Sequence, residues 1–243
     1  MEKEWIGISP LTEDEKLLAA SITELLKCPP MIAELLIRRG LKTEAEIEGF
    51  FTPDLAQQHS PFLFKDMEIA VARIIRAIEN KEKITIYGDY DVDGATATAL
   101  LLLGLTRVGA IVDFYIPHRM IDGYGLSWSS LDYLKDSGSK LIISVDCGVN
   151  ALEEIAAINE MGMEIIITDH HNPKDELPHA LAIINPKLED SGYPFPHLAG
   201  VGVAFKLLMA VYERLGITSE ENTLKYLDLV AVGTIADIVP LTD

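Results

Sequence analysis

The sequence predicts an α/β domain, doubly wound around a mostly parallel five-stranded sheet, with a helical segment ahead of it. Five short runs rich in β-branched residues follow Glu82: KITIYGD (83–89), AIVDFYI (110–116), KLIISVD (140–146), EIIITDH (164–170) and ALAIINP (180–186). Helical runs alternate with them. The strand runs are apolar throughout, as expected of strands covered on both faces in a parallel sheet.

Residues 1 to about 62 read as helical and irregular. Pro29 and Pro30 open MIAELLIRRG, where Ile32, Leu35 and Leu36 keep helical spacing and Gly40 suits a C-terminal cap. TEAEIEGFF forms a second short helix closed by Pro53, and QQHSPF reads as a loop. Asp66 is placed to cap an amphipathic helix whose Met67, Val71, Ile74, Ile75 and Ile78 share one face. The apolar stretch from Gly94 to Val108 is a helix ending at Gly109. Ser127 is a cap for a run ending near Gly138, and Asn150 for ALEEIAAINEM, with Glu153 at the capping-box position and Gly162 beyond the end. A last helical pair comprises VAFKLLMAVYERL and, after Thr218, TLKYLDLVAV. The expected division is a helical leader over 1–80 and the α/β domain over 81–243.

Hydrophobic residues make up 49% of the 243, enough for a sizeable aliphatic core. The longest apolar candidate, Ala95 to Leu105, is shorter than the ~18–20 residues of a membrane helix. MEKEWIGISP lacks the basic-then-apolar order of a signal peptide, and Cys28 and Cys147 are too few for a disulfide framework. A cytoplasmic protein with no membrane partner is expected. The net charge of −18 runs against nucleic-acid binding, which draws on a surplus of Lys and Arg. Either the acids are a solvated surface, or they concentrate in a metal site while a basic groove lies elsewhere.

In an open parallel sheet, ligands bind at the carboxyl ends of the strands. There the first strand delivers Asp89-Tyr90-Asp91-Val92-Asp93-Gly94, the third Asp146-Cys147-Gly148, and the fourth Asp169-His170-His171. Carboxylates with imidazole suit Mn²⁺ or Mg²⁺, and Zn²⁺ with less comfort for want of thiolates. DYDVDG also matches the first half of an EF-hand loop, but the twelfth position from Asp89 is Leu100 where such a loop needs Glu. A structural Asp-rich turn is the other reading, and Asp146 alone would pass as a helix cap. Cys147 reads as a small packing residue, with nucleophile or ligand as the alternative.

GDYDVDG, VDCG, TDHH and GTIADIVPL, in that order, resemble the four motifs of the DHH phosphoesterase superfamily. YIPHR, GYGL, INP and LAGVGVAFK, with the leader pattern LLIRRGL…FFTPD, are similar to its RecJ-type exonuclease branch. The resemblance covers nearly the whole chain. It implies a catalytic centre of Asp91, Asp93, Asp146, His170, His171 and Asp237, with Asp146 bridging two divalent ions and His171 near the scissile phosphate. Asp89 joins Asp91, Asp93, Asp146, His170 and Asp237 as a metal ligand, and Asp169 is expected to orient His170 or cap its loop. The implied cofactors are two Mn²⁺ or Mg²⁺ ions. The implied activity is 5′→3′ degradation of single-stranded DNA in recombination and repair, with a single-strand-binding protein and a helicase as implied partners.

Two rival readings are an enzyme of the superfamily acting on short oligonucleotides, cyclic dinucleotides or pyrophosphate, and a non-enzymatic replication scaffold. The resemblance also implies a second phosphoesterase domain with a Gly-Gly-His motif and an oligonucleotide-binding domain. Neither occurs in these 243 residues, so the expectation is a catalytic half. Arg119 after the second strand and Lys206 after the glycine-rich turn are candidates for substrate phosphate, or else Gly200 and Gly202 merely allow tight packing and Lys206 is a solvated helix residue.

Overall fold

A computed structural model describes residues 7, 9–52, 54, 57–120, 123, 125–217 and 224–241. The chain forms two compact units, Met1–Gln58 and His59–Asp243. The boundary expected near residue 80 thus lies some twenty residues earlier, because the helix after Asp66 packs into the core of the second unit.

The first unit contains α1 (Glu13–Leu26), α2 (Pro30–Arg38) and α3 (Glu44–Phe51). Two capping boxes set its helix starts, Thr12 with Glu15 and Thr43 with Glu46; the T-x-x-E at 12–15 is the signal for α1. Ile22, Ala33, Leu36, Ile37 and Ile47 form its core.

The second unit runs α4 (Met67–Glu79), β1 (Lys83–Tyr87), α5 (Val92–Arg107), β2 (Ile111–Tyr115), α6 (Trp128–Ser137), β3 (Leu141–Val145), α7 (Leu152–Glu160), β4 (Glu164–Thr168), β5 (Ala182–Ile184), α8 (Gly200–Arg214) and α9 (Leu227–Ala236). All five strands pair in parallel, in the order β2-β1-β3-β4-β5. Strand alternation splits the core in two. Ile84, Ile86, Leu141, Ile143 and Ile166 face α4, α5 and α8, while Ile142, Ile165 and Ile167 face α6 and α7. The order reverses between β1 and β3, the switch point at which such sheets bind ligands.

β2 departs from the expected two-sided burial: it is an edge strand, with Ile111 and Phe114 exposed. Three expected side-chain caps are also not formed, and Ser127 is one, at the N-cap of α6 without a capping bond from its hydroxyl. Asp66 occupies the N-cap position of α4, but its carboxylate accepts from the Ile183 amide at 3.0 Å. Asn150 lies ahead of α7, whose N-cap is Ala151; its side chain instead bridges the Asn172 carbonyl and the Lys174 amide. Thr218 lies outside the described residues. Among the described residues, no helix is long and apolar enough to cross a membrane.

Candidate metal centre

The carboxyl ends of β1, β3 and β4 meet the C-terminus of α9 at the switch point. Asp89 follows β1, and Asp91 caps α5 by accepting from the Gly94 amide at 2.9 Å. That bond engages Oδ1, and one carboxylate oxygen of Asp91 also lies in a group with Asp89 and Asp146. Asp93 stands in the first turn of α5 and is 1% exposed. Its two oxygens accept the amides of Gly200 (2.6 Å) and Val201 (2.7 Å) at the start of α8. Asp146, just past β3, adopts left-handed backbone with φ 59°, a conformation that L residues hold only when the surroundings over-determine it. A Cβ at Gly200 would stand 2.7 Å from the Asp146 Cβ, so only glycine lets α8 approach this close.

His170 Nε2 lies 3.1 Å from Asp146 Oδ1, 3.6 Å from Asp237 Oδ2 and 3.7 Å from Asp93 Oδ2. The 3.1 Å approach is off hydrogen-bond direction, so both ring nitrogens of His170 are buried with no hydrogen-bond partner. Asp146 Oδ1 and Asp89 Oδ1 are orphaned likewise. Donor atoms converge within 4.8 Å in three groups: Asp93, His170 and Asp237; Asp89, Asp91 and Asp146; and Asp146, His170 and His171. Asp237 sits at the C-terminal end of α9, where the helix dipole disfavours an anion. Crowded acids with unsatisfied inward oxygens fit a cation among them, and their oxygen-plus-imidazole chemistry fits Mn²⁺ or Mg²⁺.

The electrostatics agree. Burial first, then the charges of Asp93 and Asp91, push Asp146 up to about 10. Burial raises Asp93 and Asp89, and burial with the neighbouring His171 lowers His170. Each shift disfavours the charged form that a metal would restore or the protonated form that it would displace.

Asp169 caps its loop, one of its two expected roles, and the ring it orients is a different one from that expected. Its Oδ1 accepts from the His170 amide (2.7 Å), the His171 amide (3.0 Å) and His171 Nδ1 (2.7 Å), and its Oδ2 from the Val149 amide (2.9 Å). It therefore orients the ring of His171 and not that of His170. Its hydrogen bond is the leading cause of a raised His171 pKa. The DHH run pairs Asp169 with either neighbour equally well on paper. The amides of Gly200 and Val201, more than a hundred residues from Asp93, are not foreseen by the sequence reading; the glycine in LAGVG is their only trace.

The substrate candidates divide. Arg119 is exposed and stacks over the ring of Tyr90, 5.3 Å from its centroid, between Asp89 and Asp91 in sequence. Lys206 is 5% exposed and donates to the His59 carbonyl at 3.0 Å; burial brings it down to about 8. It is a buried helix lysine, neither solvated nor presented to a ligand. Burial pushes the Cys147 thiol well up, which favours packing over nucleophilic chemistry.

Fold and donor set define a parallel α/β domain with a carboxylate–imidazole centre for hard divalent cations. The chain belongs to the DHH family: residues 83–234 match the model of its N-terminal domain. It is 47% identical over 223 residues to the single-stranded-DNA-specific exonuclease RecJ of Bacillus subtilis, covering 92% of this chain and 28% of that protein. It is 36% identical over 237 residues to RecJ of Thermus thermophilus, covering 97% and 32%. Among solved structures it matches a manganese-bound exonuclease RecJ with TM-score 0.68 at 39% identity, covering 76% of this chain and 46% of that one. It matches the Mn²⁺ complex of the Thermus thermophilus RecJ with TM-score 0.73 at 33% identity, covering 93% and 31%. The chain thus spans about a third of the length of these curated relatives.

Proposed function

We propose that this domain hydrolyses phosphodiester bonds of single-stranded DNA, 5′→3′, with two Mn²⁺ or Mg²⁺ ions. The observation that carries the reading is the convergence of Asp89, Asp91, Asp93, Asp146, His170 and Asp237 around shared donor groups. Asp93, His170 and Asp237 would hold one ion and Asp89 and Asp91 the other, with Asp146 between them. Bound ions supply Lewis-acid polarisation of the phosphate and lower the pKa of a water. His171 has Nδ1 tied to Asp169 and stands beside Asp146 and His170, where its ring would hydrogen-bond a phosphoryl oxygen or deliver a proton to the leaving oxygen. The amides of Gly200 and Val201 hold Asp93 in place, and Arg119 on Tyr90 offers a cation for substrate phosphate. Assembly with a single-strand-binding protein and a helicase belongs to the same proposal and rests on resemblance alone.

The test is Mn²⁺-dependent release of nucleotide from a long 5′-phosphorylated single strand, its duplex and a dinucleotide. Faster turnover of the single strand is expected. Preference for the dinucleotide would favour the short-substrate rival, and no metal-dependent cleavage of any substrate would overturn the reading.

A further inference from the structure

A cavity of about 260 Å³ opens beside His171, the one described lining residue that it shares with the donor groups. Its walls include Leu126, Cys147, Ala151, Glu154, Asp169 and His171. We propose that it holds the sugar and base on one ester arm of the scissile phosphate, with Glu154 reading hydrogen-bond donors on the base. This inference rests on the phosphodiesterase reading above and adds a subsite to it.

Position argues first. His171 lines the cavity and also belongs to the donor group with Asp146 and His170. A phosphate seated at that group has an ester oxygen leading past the His171 ring, and the cavity is what lies there. Size argues next. The volume falls just below the ~300 Å³ at which pockets for drug-sized ligands begin. One sugar and base suit it, and a second nucleotide does not.

Chemistry narrows the occupant to an uncharged group. No Lys or Arg is among the described lining residues, while two carboxylates are, so a second phosphate is repelled. Leu126, Ala151 and the side chain of Cys147 offer apolar surface to a base. The polar lining is mostly committed. Both Asp169 oxygens are occupied by the bonds described above, and the Asn150 amide is engaged by Asn172 and Lys174. Glu154 lines the cavity from the first turn of α7, half-buried, and carries the remaining carboxylate there. An ionised carboxylate only accepts. It therefore favours the amino groups of adenine, cytosine and guanine over thymine, whose one donor is a ring N–H.

The test uses the Mn²⁺-loaded chain and measures binding of the four deoxynucleoside 5′-monophosphates and of inorganic phosphate by calorimetry. The mononucleotides are expected to bind about tenfold or more tighter than phosphate, about 1.4 kcal/mol. Ala151→Leu, which fills the cavity, should remove that excess and leave Mn²⁺ and phosphate affinity unchanged. Glu154→Gln should reduce the preference for dAMP and dCMP over dTMP. If Ala151→Leu does not fold, as judged by its melting curve, the base preference of Glu154→Gln decides. Mononucleotides binding no tighter than phosphate, or an unchanged base preference in Glu154→Gln, overturns the pocket while the metal centre stands. Failure of the wild type to bind Mn²⁺ overturns the reading of the centre instead.

Discussion

Asp169 Oδ1 lies 2.7 Å from His171 Nδ1 and also accepts the backbone amides of both histidines. One buried carboxylate thus fixes the loop and the tautomer of the ring at the mouth of the site. Asp169→Asn keeps the shape but cannot accept at every oxygen position, since its NH₂ would oppose a donor. A fall in kcat of about 10–100-fold with little change in KM is expected, the usual cost of losing a partner that orients an active-site imidazole. Asp169 holds the His171 pKa up. Its loss should therefore move the alkaline limb of the kcat profile to lower pH. An unmoved limb would show that Asp169 does nothing for His171 beyond holding the loop.

Gly200 is the second point of tight control. Its amide donates to Asp93, and an added Cβ would meet Asp146 at 2.7–2.9 Å from three side-chain atoms. Gly200→Ala should push the start of α8 off both acids at once. A loss of about 1–3 kcal/mol in stability is expected from overpacking, with weakened Mn²⁺ binding. Unchanged affinity in an isothermal titration would show that the two acids absorb the shift.

The strand ends are legible because three of the five strand runs, the first, third and fourth, end in carboxylates or imidazoles, and parallel topology sends those ends to one edge. That logic places Asp89, Asp91, Asp93, Asp146 and His170 from spacing and strand pattern. Asp237 comes only through the family resemblance, since it returns to the edge through α8 and α9. Local rules fail where a long-range partner prevails over them. Asp66 gives up its cap to the amide of Ile183 in β5, and Asn150 gives up its cap to residues 172 and 174. No local pattern marks β2 as the edge, because edge position follows from strand order and not from composition. Lys206 reads as a phosphate contact because it follows a glycine-rich turn, yet its position on α8 points it to the carbonyl of His59.

Asp146 should limit the stability of the metal-free protein. Its folded-state pKa of about 10 is well above the ordinary value of 3.8. Between those values the folded chain binds more protons than the unfolded one, so the contribution is largest at low pH and is lost as pH rises. Asp146→Asn removes the titration, and Asn tolerates the left-handed backbone there better than Ala does. Without metal at pH 7 the variant should be more stable than the wild type, on the order of a few kcal/mol, and should gain nothing from Mn²⁺. Mn²⁺ binding to the wild type should also release protons, visible as a buffer-dependent enthalpy. A metal-free Asn variant melting below the wild type at neutral pH would contradict the crowding of acids at this centre.

Lys206 makes the opposite contribution. Burial alone brings its pKa from 10.5 down to about 8 in the folded chain. Between those values the unfolded chain binds more protons, so this residue's share of stability rises with pH through the window from 8 to 10.5. Below pH 8 the buried ammonium costs a constant amount, about 3 kcal/mol from the size of the shift. Its hydrogen bond to the His59 carbonyl offsets part of that. Lys206→Met deletes both effects, so its stability at neutral pH reports only their difference. The decisive quantity is the gap between wild type and variant, measured by urea unfolding at several pH values. That gap should move in favour of the wild type by up to about 3 kcal/mol between pH 8 and 10.5, while other groups cancel. Parallel curves across that range would mean that the ammonium reaches water and that a contact with substrate phosphate is open to it again.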